Sequence, residues 1–92
     1  MPQVFKVAGY WVYFWSNEND PIEPIHVHIH EGKPVKNATK VWITMAGGCM
    51  LANNNSHIPE RMLRNIMDVI EARSEEVICK WQEHFGNVSF FC

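Results

Sequence analysis

The stretch His26-Val27-His28-Ile29-His30 alternates three imidazoles with two β-branched apolar side chains. A β-strand sends successive side chains to opposite faces, so this pattern puts the histidines on one face and Val27 and Ile29 on the other. One strand therefore carries a face that must be buried and a face that titrates. The segments on either side extend the same reading. Upstream, residues 4–7 and 10–15 are short β-rich runs separated by Ala8-Gly9, and Pro24 fixes the approach to the histidine strand after a polar loop at residues 16–21. Downstream, Glu31-Gly32-Lys33-Pro34 signals a turn. Residues 39–45 then alternate, with Val41, Ile43 and Met45 on one side and Lys40, Trp42 and Thr44 on the other. Gly47-Gly48 ends that run, and residues 49–52 suit a short returning strand.

The period changes after Asn53-Asn54-Asn55-Ser56, a polar stretch read as loop. Pro59 suits a first helical turn, and Leu63, Ile66, Met67, Ile70, Val77, Ile78, Trp81 and Phe85 recur every three or four residues, as on an amphipathic helix. Gly86 is a natural stop. Unbroken, a helix over residues 59–85 is about 40 Å long, whereas a domain of this size is about 25–30 Å across. The spacing therefore predicts a bend near Arg73-Ser74-Glu75, or a helix that projects onto another subunit. The apolar tail, residues 87–92, is expected to add an edge strand or a packing plug. The expected fold is α+β: an antiparallel meander of four to five strands (residues 1–52), one long or kinked helix (59–85) on one sheet face, and the tail, in a single domain over residues 1–92.

Parity extends across the expected sheet. Val27, Ile29, Val41, Ile43 and Met45 face the helix. Of the strand at residues 10–15, Tyr10, Val12 and Phe14 join them, because two tryptophans are awkward inside so small a core. Trp11, Tyr13, Trp15 and Trp42 then share the histidine face as binding or interface residues. Each aromatic buries on the order of 150–250 Å², and soluble monomers seldom expose so large a patch. A second subunit, the Phe90-Phe91 tail or a ligand should cover it, so a homo-oligomer is expected.

His26 and His28 are the candidate catalytic pair, since imidazole both takes and gives protons near neutrality. As metal ligands, His26, His28 and His30 can offer one neighbouring pair, whose α-carbons stand about 6.6 Å apart on a strand. A further ligand must come from Asp20, Glu23, Glu31 or His57. No His-Glu-x-x-His, paired-cysteine or acidic calcium motif accompanies them, so no cofactor beyond a divalent ion is implied. The plain alternative is that these histidines are hydrogen-bonded structural residues.

With 47% hydrophobic and 20% charged residues, the composition is globular rather than disordered. The net charge of −2 includes no basic excess of the kind a phosphate-binding surface requires, so nucleic acid is not indicated. No apolar run reaches the roughly 20 residues of a membrane span, and the start lacks signal-peptide features. Cysteines 49, 79 and 92 fit neither a paired framework nor a zinc motif. A cytoplasmic location follows as the expectation.

Pro24-Ile25-His26-Val27-His28-Ile29, the aromatic strand before it, and Asn53-Asn54-Asn55-Ser56-His57-Ile58-Pro59 leading into a helix with the late Trp81 resemble a small bacterial family, domain of unknown function 4160. The likeness runs over nearly the whole chain. The family pattern often has Pro-His-x-His, where this chain has Pro24-Ile25-His26, and His30 lies outside the pattern. The resemblance implies no settled activity. It does imply membership in two-gene modules resembling toxin–antitoxin systems, and hence a cognate protein partner. The leading expectation is a small interaction module, and the alternative is a histidine-based hydrolase or nuclease using His26 and His28.

Overall fold

In the computed structural model, which describes residues 3–17 and 23–92, five strands precede two helices. They are β1 (Gln3–Val7), β2 (Tyr10–Tyr13), β3 (His26–Glu31), β4 (Thr39–Ile43), β5 (Cys49–Asn53), α1 (Glu60–Ala72) and α2 (Ser74–Phe85). The strands form one antiparallel sheet in the order β1-β2-β3-β4-β5, so each pairs with its neighbour in sequence. The fold is α+β, as the two periodicities predict. The candidate ligand Asp20 and residues 18–21 of the expected loop lie outside the described residues.

Local chemistry explains the joints. Val7 pairs with Tyr10 across Ala8 and Gly9, whose φ values are 49° and 84°. These are the angles of a type I′ hairpin turn, which takes positive φ at both positions to match the strand twist, and Ala8 adopts it without glycine's freedom. The strand at residue 39 stops earlier than its alternation suggests. Thr44 N donates to the Gly48 carbonyl, Gly48 N donates to Thr44 Oγ1, and Gly47 takes φ 89°. This turn swings Met45 out of the core to 73% exposure, so it does not face the helix as the alternation suggests.

The helical stretch breaks at Arg73, with φ −112° and ψ 23°. The guanidinium makes two-pronged contact with Glu76 and sits 4.0 Å from the Phe5 ring centroid, which holds the joint against β1. The largest extent of the molecule is 33 Å, too short for the unbroken helix, and the break lets α1 lie beside β5 and α2 beside β1. Gly86 ends α2 in the left-handed conformation at φ 80°, its N–H bonded to the Gln82 carbonyl.

The core lies between the helices and one sheet face. Val12, Phe14, Ile25, Val27, Ile29, Val41 and Ile43 from the sheet side meet Ile58, Leu63, Ile66, Ile70, Val77 and Trp81. The tail forms no strand. Ile25 N donates to the Ser89 carbonyl at 2.8 Å and Met45 N to the Cys92 carbonyl at 2.9 Å, so residues 87–92 cross the sheet end as a plug.

Candidate functional site

Register places the titratable face where alternation puts it. Trp11 pairs with His30, Tyr13 with His28, His26 with Trp42 and His28 with Lys40, while Val12 faces Ile29 and Val27 faces Val41. The histidine and tryptophan residues thus share one side of the sheet. The His26 and His28 rings meet edge to face, 5.1 Å between centroids. His28 also lies 5.7 Å from Tyr13, and Tyr13 meets Trp15 edge-on at 5.5 Å.

Two members depart from a simple row. His26 begins the strand at the sheet end, where its ring touches both Trp42 (5.6 Å) and the helical Trp81 (5.4 Å). Its Nδ1 lies 2.9 Å from the Pro24 carbonyl and its Nε2 3.9 Å from the Glu23 carboxylate. His30 turns to the loop before α1 instead, with Nδ1 2.8 Å from Ser56 Oγ. Of the other candidate ligands, Glu31 and His57 are exposed, and His57 occupies a turn at φ 53°. No group of three or more His, Cys, Asp or Glu side chains among the described residues is arranged to hold a metal ion.

The chain covers this face itself. Tyr13 is fully buried, its hydroxyl donating to the Val35 carbonyl at 2.9 Å, so the β3–β4 loop folds across it. Phe91 stacks on Trp42 at 4.8 Å and 11° between planes. The Lys40 ammonium lies 4.2 Å from the Trp42 ring centroid and that of Lys6 lies 4.3 Å from Trp11, so both cations sit on aromatic faces. His26 is 0% and His28 7% exposed beneath this cover. An aromatic surface closed by its own loop, tail and lysines does not require a second subunit to cover it.

A polar cluster that the sequence hides as loop lies beside His30. Ser56 Oγ donates to the Ile29 carbonyl (3.0 Å) and accepts from Thr39 N (3.0 Å), while Thr39 Oγ1 accepts from Ser56 N and donates to Asn54 Oδ1 (2.7 Å). Asn54 in turn brackets Ile58, accepting from its N–H and donating to its carbonyl. The single Ser56 hydroxyl proton is spent on Ile29, which leaves His30 Nδ1 as the donor to Ser56. The only advance signal is the run of short polar side chains ahead of Pro59, a residue type that imitates backbone partners in turns.

On the opposite side, between α1 and β5, a groove of about 280 Å³ is lined by Cys49, Leu63, Met67 and the charged Glu60, Arg64, Asp68 and Glu71. Burial, with Glu71 and Asp68 adding to it, pushes the Cys49 thiol up to about 11. Its thiolate is therefore scarce at neutral pH, which disfavours Cys49 as a nucleophile. All three cysteines are free, and Cys79 and Cys92 are exposed. Iodoacetamide at pH 8, followed by mass spectrometry of the folded protein, should alkylate Cys79 and Cys92 well before Cys49. Equal or faster labelling of Cys49 refutes this account of the groove.

A family model described as Domain of unknown function (DUF4160) matches residues 9–82, from the first hairpin to the residue after Trp81. No curated protein and no solved structure matches the chain. No helix among the described residues is long and apolar enough to cross a membrane.

Proposed function

The chain belongs to the family of domain of unknown function 4160, and we propose that it works as a small interaction module in the cytoplasm. In this reading it self-associates and binds a cognate protein as one member of a toxin–antitoxin-like two-gene system. The supporting observation is the placing of its exposed apolar groups. Met45, Met50, Leu51 and Phe91, four of the five large hydrophobics exposed among the described residues, gather at the β5 end of the sheet. Apolar groups collected at one place mark a contact surface. His26 and His28 lie under chain instead of opening to a substrate. Co-expression with the product of the adjacent reading frame tests the partner. A stoichiometric complex that survives size exclusion supports the two-gene reading, and separate elution of the two products rejects it.

The second reading is a hydrolase of the nuclease class, using His26 and His28 with or without a divalent ion. The observation favouring it is the meeting of two imidazoles at 5.1 Å with the Glu23 carboxylate 3.9 Å from one of them. Its weakness is substrate capture, because Lys6 and Lys40 rest on tryptophans and the net charge is −2. Hydrolysis of a phosphodiester chromogen, with and without added divalent ions, should be at background for wild type. A measurable rate that His28→Gln removes with an unchanged circular dichroism spectrum favours the hydrolase instead.

A further inference from the structure

β5 is the last strand of the sheet, and its sequence, Cys49-Met50-Leu51-Ala52-Asn53, contains neither a charge nor a proline. Edge strands are usually blunted by such residues, because an open row of backbone donors and acceptors invites another strand. We propose that this edge pairs antiparallel with the same edge of a second copy of the chain, about a two-fold axis at Met50, joining two five-stranded sheets into one. The proposal rests on the self-associating module above and names its surface.

Side chains on both faces of the edge suit it. Met50 pairs with Trp42 and so lies on the aromatic face, while Leu51 pairs with Val41 and lies on the helix face; both are exposed. On the aromatic side the patch continues through Phe91, stacked on Trp42, to Met45, whose N–H holds the Cys92 carbonyl. On the helix side the groove beside α1 lies next to Cys49 on this last strand, where an added strand about 4.8 Å away would run. The register shift near Ala52 keeps the shared ladder short, so these side chains carry most of the contact.

Charge on α1 selects the occupant. Arg64 and Asp68 stand two residues either side of Ile66, and Arg61 and Glu71 five residues either side, so these four charges are antisymmetric about Ile66, while Glu60 pairs with Arg64 of its own helix at 3.1 Å. Cys49 Sγ reaches the Met67 carbonyl at 3.5 Å and Gly48 lies beside the Glu71 carboxylate. Since one strand residue advances about as far as two helix residues, the next strand position, Met50, falls near the level of Ile66. A two-fold axis at Met50 therefore brings Arg64 towards Asp68 of the partner subunit, and Arg61 towards Glu71 of the partner subunit. On the axis itself a residue meets its own copy, which a charged side chain would resist and methionine does not.

Light scattering across a concentration series reads the result. Wild type should reach the dimer mass, and Leu51→Lys should raise the dimer dissociation constant at least tenfold with unchanged circular dichroism, while the exposed control Val35→Lys stays dimeric. Arg61→Glu/Arg64→Glu and Asp68→Lys/Glu71→Lys should each be monomeric alone and dimeric when mixed, a result that does not depend on Leu51→Lys folding. A dimer that tolerates Leu51→Lys, or charge-reversed variants that fail to pair on mixing, overturns the edge proposal and leaves self-association standing. A wild type that stays monomeric at every concentration overturns both.

Discussion

Trp81→Ala should be the most damaging single truncation in the helices, costing about 3–5 kcal/mol. The indole is 0% exposed and sits where three layers meet, 5.1 Å from Phe14, 5.4 Å from His26 and 4.5 Å from Phe85. Truncation opens a cavity that a broken helix pinned at Arg73 and Gly86 cannot collapse into. One term opposes it, since Trp81 Nε1 is buried without a hydrogen-bond partner among the described residues, and removing it relieves a desolvated N–H. That term is about 1–3 kcal/mol at most, so cavity loss prevails. Trp81→Phe, which keeps a ring and drops the N–H, should cost within about 2 kcal/mol. For a domain of this size each kcal/mol shifts the midpoint by about 4–8 °C. Thermal unfolding followed by circular dichroism should thus fall by at least about 12 °C for the alanine variant and much less for phenylalanine. Equal midpoints for the two variants contradict the packing described.

Ser56→Ala should be nearly as costly, at about 2–4 kcal/mol, although it removes a single oxygen. That oxygen serves Thr39 N, the Ile29 carbonyl and His30 Nδ1, and Thr39 is fully buried. Each buried group left without a partner costs about 1–3 kcal/mol, and the loss of the mean net worth of a bond is the smaller part. Urea titration measures it. Ser16→Ala, at an exposed loop position, is the control and should stay within about 0.5 kcal/mol. A Ser56→Ala curve that overlays this control removes the case for a structural clamp at the base of α1.

What could be read from the chain follows from how local each cause is. The parity of His26 to His30 is legible because side-chain direction in a strand depends on the residue's own position. The pairing with Trp11, Tyr13 and Trp42 depends on register between strands, which only the bulk of the tryptophans hints at in the sequence. The break at Arg73 was legible from length, since no unbroken helix of that span fits the molecule. Met45 was misplaced because alternation continues through Thr44 while the Thr44–Gly48 bonds turn the backbone. The closing of the aromatic face had no periodic signature. It depends on Val35 and Phe91 arriving from distant sequence, and neither residue belongs to a strand or helix. The Ser56 cluster escaped for a related reason, because a hydroxyl that bonds backbone and one that bonds water look identical in sequence.

The meander order carries a consequence for how the molecule assembles. Because every strand pairs with its immediate predecessor, the sheet can zip up one hairpin at a time, and each closure joins segments already close along the chain. The entropic search for each ladder closure is correspondingly small. Among the longest-range closures are α2 against β1 and the final residues against Ile25, Trp42 and Met45. Those junctions, and not the strand ladder, are where the folding barrier should concentrate.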